Sequence, residues 1–272
     1  MNALRWAVLV IAVLVMNMPV IVTIVTSLKP PAEIMSNPGL IVQSPTLANY
    51  ATVVTVSDRL NVWAYLTNSV IAALIGSLLP LALCLPFAFA AARRGFGRRL
   101  LLPLVVNLRA LPLIIFAIPI YLMYQAVGLL DTRIGLGLVL AVVNLPLTML
   151  ILLNAIAEIP RELDEAAAMD GARTGRLIAR IILPTVRPAL ATAFVFGFIT
   201  AWNEFLFGLI LTTQHAVPMT VGASFFFATG GGGVQWGVAA AVIVVASLPP
   251  VILGLAMYKQ IGRAMVAGAV KG

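Results

Sequence analysis

Side chains able to handle protons or attack carbon are scarce in this chain: nine Asp and Glu, one His (His215) and one Cys (Cys84) among 272 residues. A catalytic set needs a nucleophile beside an oriented base, or several ligands converging on a metal. One imidazole and one thiol supply neither, and a lone cysteine excludes an internal disulfide. The sequence has no G-x-x-x-x-G-K-[ST] stretch, the loop that cradles nucleotide phosphates. No catalytic residue and no metal site is expected. The acids lie almost all in polar stretches; Glu204, beside Asn203, sits inside an apolar run. That pair has two readings. It lines a path for a hydroxylated solute, or it bonds a neighbouring helix or snorkels to the surface.

The elements that would position these residues are long and apolar. The chain is 62% hydrophobic and 10% charged, with mean hydropathy +1.09, whereas soluble domains carry roughly 25% charge. A fold of this length cannot hide so much apolar surface from water, so lipid must be the solvent for most of it. Segments near residues 6–28, 66–91, 100–124, 134–157, 189–211 and 237–258 are each long enough to cross a bilayer. The expectation is one all-α membrane domain of six transmembrane helices, with a polar loop at 158–188 and a tail at 259–272. The first apolar run is too long for a signal-peptide core and lacks a clean cleavage site.

Charge gives the orientation. Arg5, Arg93, Arg94, Arg98, Arg99, Arg161, Arg173, Arg176, Arg180, Arg187, Lys259, Arg263 and Lys271 fall on one side; Lys29, Arg59 and Arg133 fall on the other. This asymmetry places both termini in the cytoplasm, as an even number of spans requires. The sequence pI of about 10.4 therefore reflects topology rather than nucleic-acid binding. Arg109, near the start of the third span, pairs with an acid of another chain or snorkels to the cytoplasmic interface. Trp6, Trp202 and Trp236, near span ends, read as interface anchors. Prolines inside the spans, with Asn107, Asn144 and Asn154 at membrane depth, favour a transporter or channel over a plain anchor.

The 158–188 stretch is the most informative. Pro160 suits a first helical position, and Arg161 to Met169 are nearly all good helix formers. Arg161 is spaced to pair with Asp164 and Glu165. Leu163, Ala166 and Ala167 share a face on which another backbone can approach closely. Asp170-Gly171 is a turn in which Gly171 takes positive φ. A second helix runs from about Thr174 to Ile182, and Pro184 and Pro188 break it. Two short helices joined by a glycine turn make either a solvated connector or a knuckle seated in another protein's groove.

Glu165-Ala166-Ala167, three residues, Gly171, nine residues, Ile181, one residue and Leu183-Pro184 match at every fixed position the loop of ABC importer permeases named for its Glu-Ala-Ala start. The stretches 159–163, 201–205, 128–132 and 267–272 resemble carbohydrate-uptake permeases of the MalG-like type. The resemblance implies the type I ABC importer permease fold, in which this loop is a coupling helix docking on a cytoplasmic ATPase. It makes Glu165, Ala166, Ala167, Gly171, Ile181, Leu183 and Pro184 the docking residues. It sends the tail, Ala267, Gly268, Ala269, Val270, Lys271 and Gly272, into the ATPase dimer. It implies a second homologous permease carrying most of the substrate contacts, a homodimeric ATPase holding ATP and Mg, and a periplasmic or lipid-anchored solute-binding protein. The cargo would be a sugar or sugar derivative, moved by alternating access with no covalent chemistry on this chain. A non-sugar solute such as a glycerol phosphate or polyamine, or an ion-coupled secondary transporter, remains the alternative.

Overall fold

The computed structural model describes the backbone of residues 2–57, 60–228 and 233–269, with side chains for residues 5–57, 60–227 and 233–258. In chain order the helices are α1 (Asn2–Ser27), the short α2 (Pro31–Ser36) and α3 (Ala48–Val54), α4 (Val62–Arg94), and α5 (Leu101–Asn107) continued by a 3-10 turn (Leu108–Ala110). There follow α6 (Ile114–Val127), α7 (Arg133–Ala157), α8 (Glu162–Met169), and α9 (Thr174–Leu177), which runs through a π-turn (Ile178–Ile182) into α10 (Leu183–Thr185). The last are α11 (Arg187–Asn203), α12 (Leu206–Leu211), α13 (Met219–Phe225) and α14 (Trp236–Ala269). Among the described residues there is no strand.

Four helical segments can cross a bilayer whole: Arg5–Ser27, Val62–Arg94, Arg133–Ala157 and Trp236–Tyr258. Two bent pairs bring the number to six, Leu101–Ala110 with Ile114–Val127 at 108° and Thr174–Thr185 with Arg187–Asn203 at 76°. Six spans fit, but the third is broken and the fifth is bent away from the helix before it. Proline explains the first break. Pro112 bars the residue before it from helical geometry, and Leu111 is extended, with φ −85° and ψ 137°.

The chain divides into two compact units, residues 1–66 with 219–248, and residues 67–218 with 249–272. In the first, the stretch 29–49 is ordered by its few polar side chains. Lys29 is buried and its Nζ donates to the carbonyls of Asn37 and Gly39, at 2.7 and 2.5 Å. The Glu33 carboxylate accepts the Gln43 and Ser44 N–H groups, at 2.7 and 2.9 Å. The Gln43 bond, against some desolvation, leads in holding its carboxyl below the ordinary value. Asn49 Nδ2 donates to the carbonyls of Ser27 and Lys29. Polar groups taken from water must be bonded, and these bonds fold the stretch back on the end of α1.

In the second unit α4, α7 and α11 pack at very close range. A Cβ on Gly76 would lie 2.9 Å from the Leu140 Cβ, and one on Gly137 would lie 2.6 Å from Ile75. Small residues let helices approach this way in lipid, where no hydrophobic force drives them together. Asn144 ties the three helices: its buried Nδ2 donates to the carbonyls of Gly76 and Gly197, at 2.8 and 2.9 Å.

A polar knot closes the end of this unit where α7 begins. Gly128 ends α6 in the left-handed region, and Thr132 caps α7 by accepting the Gly135 N–H. Between them Asp131 takes φ +54°. Its carboxylate accepts the N–H groups of Thr213, Gln214, His215 and Ala216 at 3.0–3.1 Å. Asn68 donates to the carbonyls of His215 and Val217 and accepts from Arg133 Nε at 2.7 Å. Partial burial pushes the Asp131 carboxyl up, but the N–H bonds, led by that of His215, outweigh it and bring the pKa from 3.8 to about 2. A depressed carboxyl adds stability above its unfolded value and loses it as pH falls through the folded one. Asp131→Asn should therefore lower the unfolding midpoint in detergent at neutral pH, by about 1 kcal/mol for a half-exposed group. The gap to the natural chain should close as pH drops from about 4 toward about 2. A gap independent of pH would show that the charge contributes nothing.

Candidate functional site

At the opposite end of α7 the chain forms the knuckle. Glu162, Asp164 and Glu165 all fall in the first turn of α8, where the free N–H groups favour negative charge. The helix stops at Gly171, whose φ is +73°. The Ala172 N–H returns to the Ala167 carbonyl at 2.9 Å and the Gly171 N–H to the Ala168 carbonyl at 3.0 Å. These are the paired bonds of a Schellman end, which needs a left-handed residue at this position. Among the described residues a Cβ on Gly171 would meet nothing within 4 Å, so the tip of the knuckle is open.

The alanine face is divided between two tasks. Ala167 is buried and joins Leu177 and Ile182 in an apolar cluster with Cys84, Phe89, Leu152 and Ile156. Leu163, Glu165, Ala166 and Met169 are exposed, Met169 at 89%. Ala166 is thus available to a partner, whereas Ala167 seats the helix on its own chain. Ile181 and Pro184 are half-buried and Leu183 is exposed.

Pro184 does not end the second knuckle helix. It lacks the N–H that the Arg180 carbonyl would accept, and the ladder widens instead: the Leu183 N–H bonds the Ile178 carbonyl, making the π-turn. The helix ends at Thr185, and Pro188 lies in the first turn of α11.

Asp164 pairs with Arg93, at the end of α4, rather than with Arg161 as the i,i+3 spacing predicts. Arg93 Nη2 donates to Oδ1 at 3.3 Å. Nε lies 2.5 Å from Oδ2, but its N–H points off line and makes no proper hydrogen bond. The side chains are 9% and 18% exposed. Arg93 reads from sequence as one of four loop arginines serving topology, and no signal over 71 residues could have paired it with the knuckle.

The polar residues of the fifth span are held locally. Asn203 Nδ2 donates to the Ile199 carbonyl at 2.8 Å. The Glu204 carboxylate accepts the N–H groups of Leu206 and Phe207, each at 2.9 Å, and of Gly208 at 3.4 Å. It caps α12, the short helix that follows the end of α11. Trp202 is not an interface anchor: it is buried and stacked on Phe198, with centroids 5.8 Å apart. Trp6 and Trp236 are exposed, and His215 is an exposed loop residue. Arg109 does not lie at the end of its span. It sits in the 3-10 turn just before the break between α5 and α6, on the wall of a cavity of about 260 Å³. Of the tail, Val270, Lys271 and Gly272 lie outside the described residues, while the backbone of Ala267, Gly268 and Ala269 continues α14.

A family model described as "binding-protein-dependent transport system inner membrane component" matches residues 83–267. The chain belongs to that family. This transport component is 34% identical to the trehalose/maltose transport system permease protein MalG of Thermococcus litoralis, over 93% of its own length and 91% of the relative's. It is 33% identical to the trehalose transport system permease protein SugB of Mycobacterium tuberculosis, over 100% and 98% of the two chains. Its fold resembles a chain in the crystal structure of a bacterial ABC transporter for the acidic polysaccharide alginate. The TM-score is 0.78 at 21% identity, covering 96% of this chain and 95% of that one. The component is thus a multi-pass membrane permease with the all-α fold of ABC importers.

Proposed function

We propose that this permease is one of two membrane-spanning subunits of an ATP-driven, binding-protein-dependent importer for a sugar or sugar derivative. The observation that carries the reading is the knuckle. Its inward face is fixed to the ends of α4 and α7, and its tip, Glu165, Ala166 and Gly171, is exposed around a left-handed glycine with free space beyond. Such a tip transmits force from a protein outside the chain. The relatives named for trehalose and maltose support a carbohydrate cargo.

In this reading both termini and the knuckle are cytoplasmic. A homodimeric ATPase binds ATP and Mg and grips the knuckle through Glu165, Ala166, Gly171, Leu183 and Pro184. Ala167 and Ile181 support it from behind, and the tail from Ala267 to Gly272 reaches the ATPase pair. A second permease completes the pathway, and a solute-binding protein delivers cargo outside. ATP-driven closure of the ATPase pair moves the knuckles and opens the permease pair outward.

The test is uptake of labelled trehalose and maltose into proteoliposomes holding the complete complex. Uptake should require ATP and the binding protein and should persist with an uncoupler. Transport by this chain alone, or transport abolished by the uncoupler while ATP hydrolysis continues, would sink the reading.

A further inference from the structure

The break in the third span holds a charge that lipid cannot accommodate. Asn144 and Pro146, near the midpoint of α7, line the same cavity as Arg109, which places that cavity close to the middle of a ~30 Å hydrocarbon core. Leu111, next to the break, is extended and 47% exposed. Non-helical backbone and a guanidinium at this depth are tolerated where they line a water-filled path or meet a counter-charge.

Among the described residues the cavity wall offers no counter-charge. No Asp or Glu lines it, and among the described residues no hydrogen bond or ion pair engages Arg109. The other polar groups on the wall are Asn144 and Thr200. Asn144 spends its amide N–H groups on Gly76 and Gly197, which leaves its carbonyl oxygen to accept. Phe116, Ile120 and Val139 supply apolar wall. The set is therefore one fixed cation, a hydrogen-bond acceptor and a hydroxyl, set in an apolar lining. That set fits a solute with hydroxyls and one acidic group, because the planar guanidinium fork matches a carboxylate or a phosphate.

We infer that the cavity at the α5–α6 break is a mid-membrane binding site on this subunit, and that Arg109 selects carbohydrates bearing an anionic group. The inference rests on the importer reading above and narrows its substrate class.

The experiment uses the complete complex in proteoliposomes. It compares uptake of labelled disaccharides carrying a uronate, phosphate or sulfonate with uptake of their neutral parents. The natural complex should import at least one acidic probe in preference to its parent. Arg109→Gln should cut that uptake about tenfold or more, the effect of losing a charged hydrogen bond, and Arg109→Lys should retain part of it. Uptake of neutral parents alone, or of none of the probes, overturns the anionic site; neutral uptake leaves the importer reading intact. Unchanged acidic uptake in Arg109→Gln also overturns it, and points to an acid on the second permease as the arginine's partner. If Arg109→Gln fails to assemble, Arg109→Cys in a Cys84→Ala background gives an independent reading. A membrane-impermeant thiol reagent should label it in the assembled complex, and no labelling overturns the site.

Discussion

A complex carrying Gly171→Asp is expected to insert and assemble, yet to lose about 30-fold or more of its solute-stimulated ATP hydrolysis. That is the scale of one central residue in a protein interface. Two features make this a clean probe. No described residue lies within 4 Å of a Cβ at this position, so the new side chain disturbs none of the described packing. The backbone there has φ +73°, where an L-residue costs about 1 kcal/mol and Asp or Asn less than most. The substitution therefore acts mainly on whatever meets the tip. Gly171→Asn, of similar shape and strain but uncharged, separates charge from bulk. Normal stimulation in an assembled Gly171→Asp complex would remove the tip from the docking surface, and the transport reading would then need another point of coupling.

The second large effect is expected at the base of the knuckle. Arg93→Glu replaces a largely buried ion pair with two like charges beside one another. Removing a partner from such a pair costs about 3 kcal/mol, at the low end here because Asp164 is 18% exposed. The unfolding midpoint should fall, and the hydrolysis that remains should drive less uptake per ATP, because α8 loses its polar tie to α4. The double exchange Arg93→Asp with Asp164→Arg should restore a substantial part of both. Arg93→Glu combined with Met169→Arg, at an exposed knuckle position, restores the arginine count without the pair: a role in topology alone predicts equal rescue from both double variants, whereas the ion pair predicts rescue from the exchange alone. Failure of the exchange to recover anything over Arg93→Glu would show that the pair does not hold the knuckle.

The two experiments read different parts of one lever. The tip is exposed and left-handed, while the base is fixed by Ala167, Leu177 and Ile182 in the apolar cluster and by the Arg93–Asp164 pair. In the proposed reading, force applied at the tip is delivered to the ends of α4 and α7; the Asn144 clamp joins those helices to α11.

Local spacing in the sequence settled the class of this protein and the shape of the knuckle tip. Apolar runs of bilayer length required lipid, and the helix formers after Pro160 with the Asp170-Gly171 stop required a short helix with a left-handed end. Both are consequences of neighbours along the chain, and both are present in the structure. What separated neighbours do was decided only by packing. Arg93 meets Asp164 across 71 residues, and Asp131 gathers the N–H groups of residues 213–216. Trp202 turns inward, and of Ala166 and Ala167, adjacent in a motif, one ends exposed and the other buried. Proline shows the boundary most clearly. The sequence says that Pro112 and Pro184 each disturb a helix; only the surrounding contacts decide that one opens a sharp break and the other a π-turn, because a missing N–H fixes what is lost but not which carbonyl or cavity replaces it.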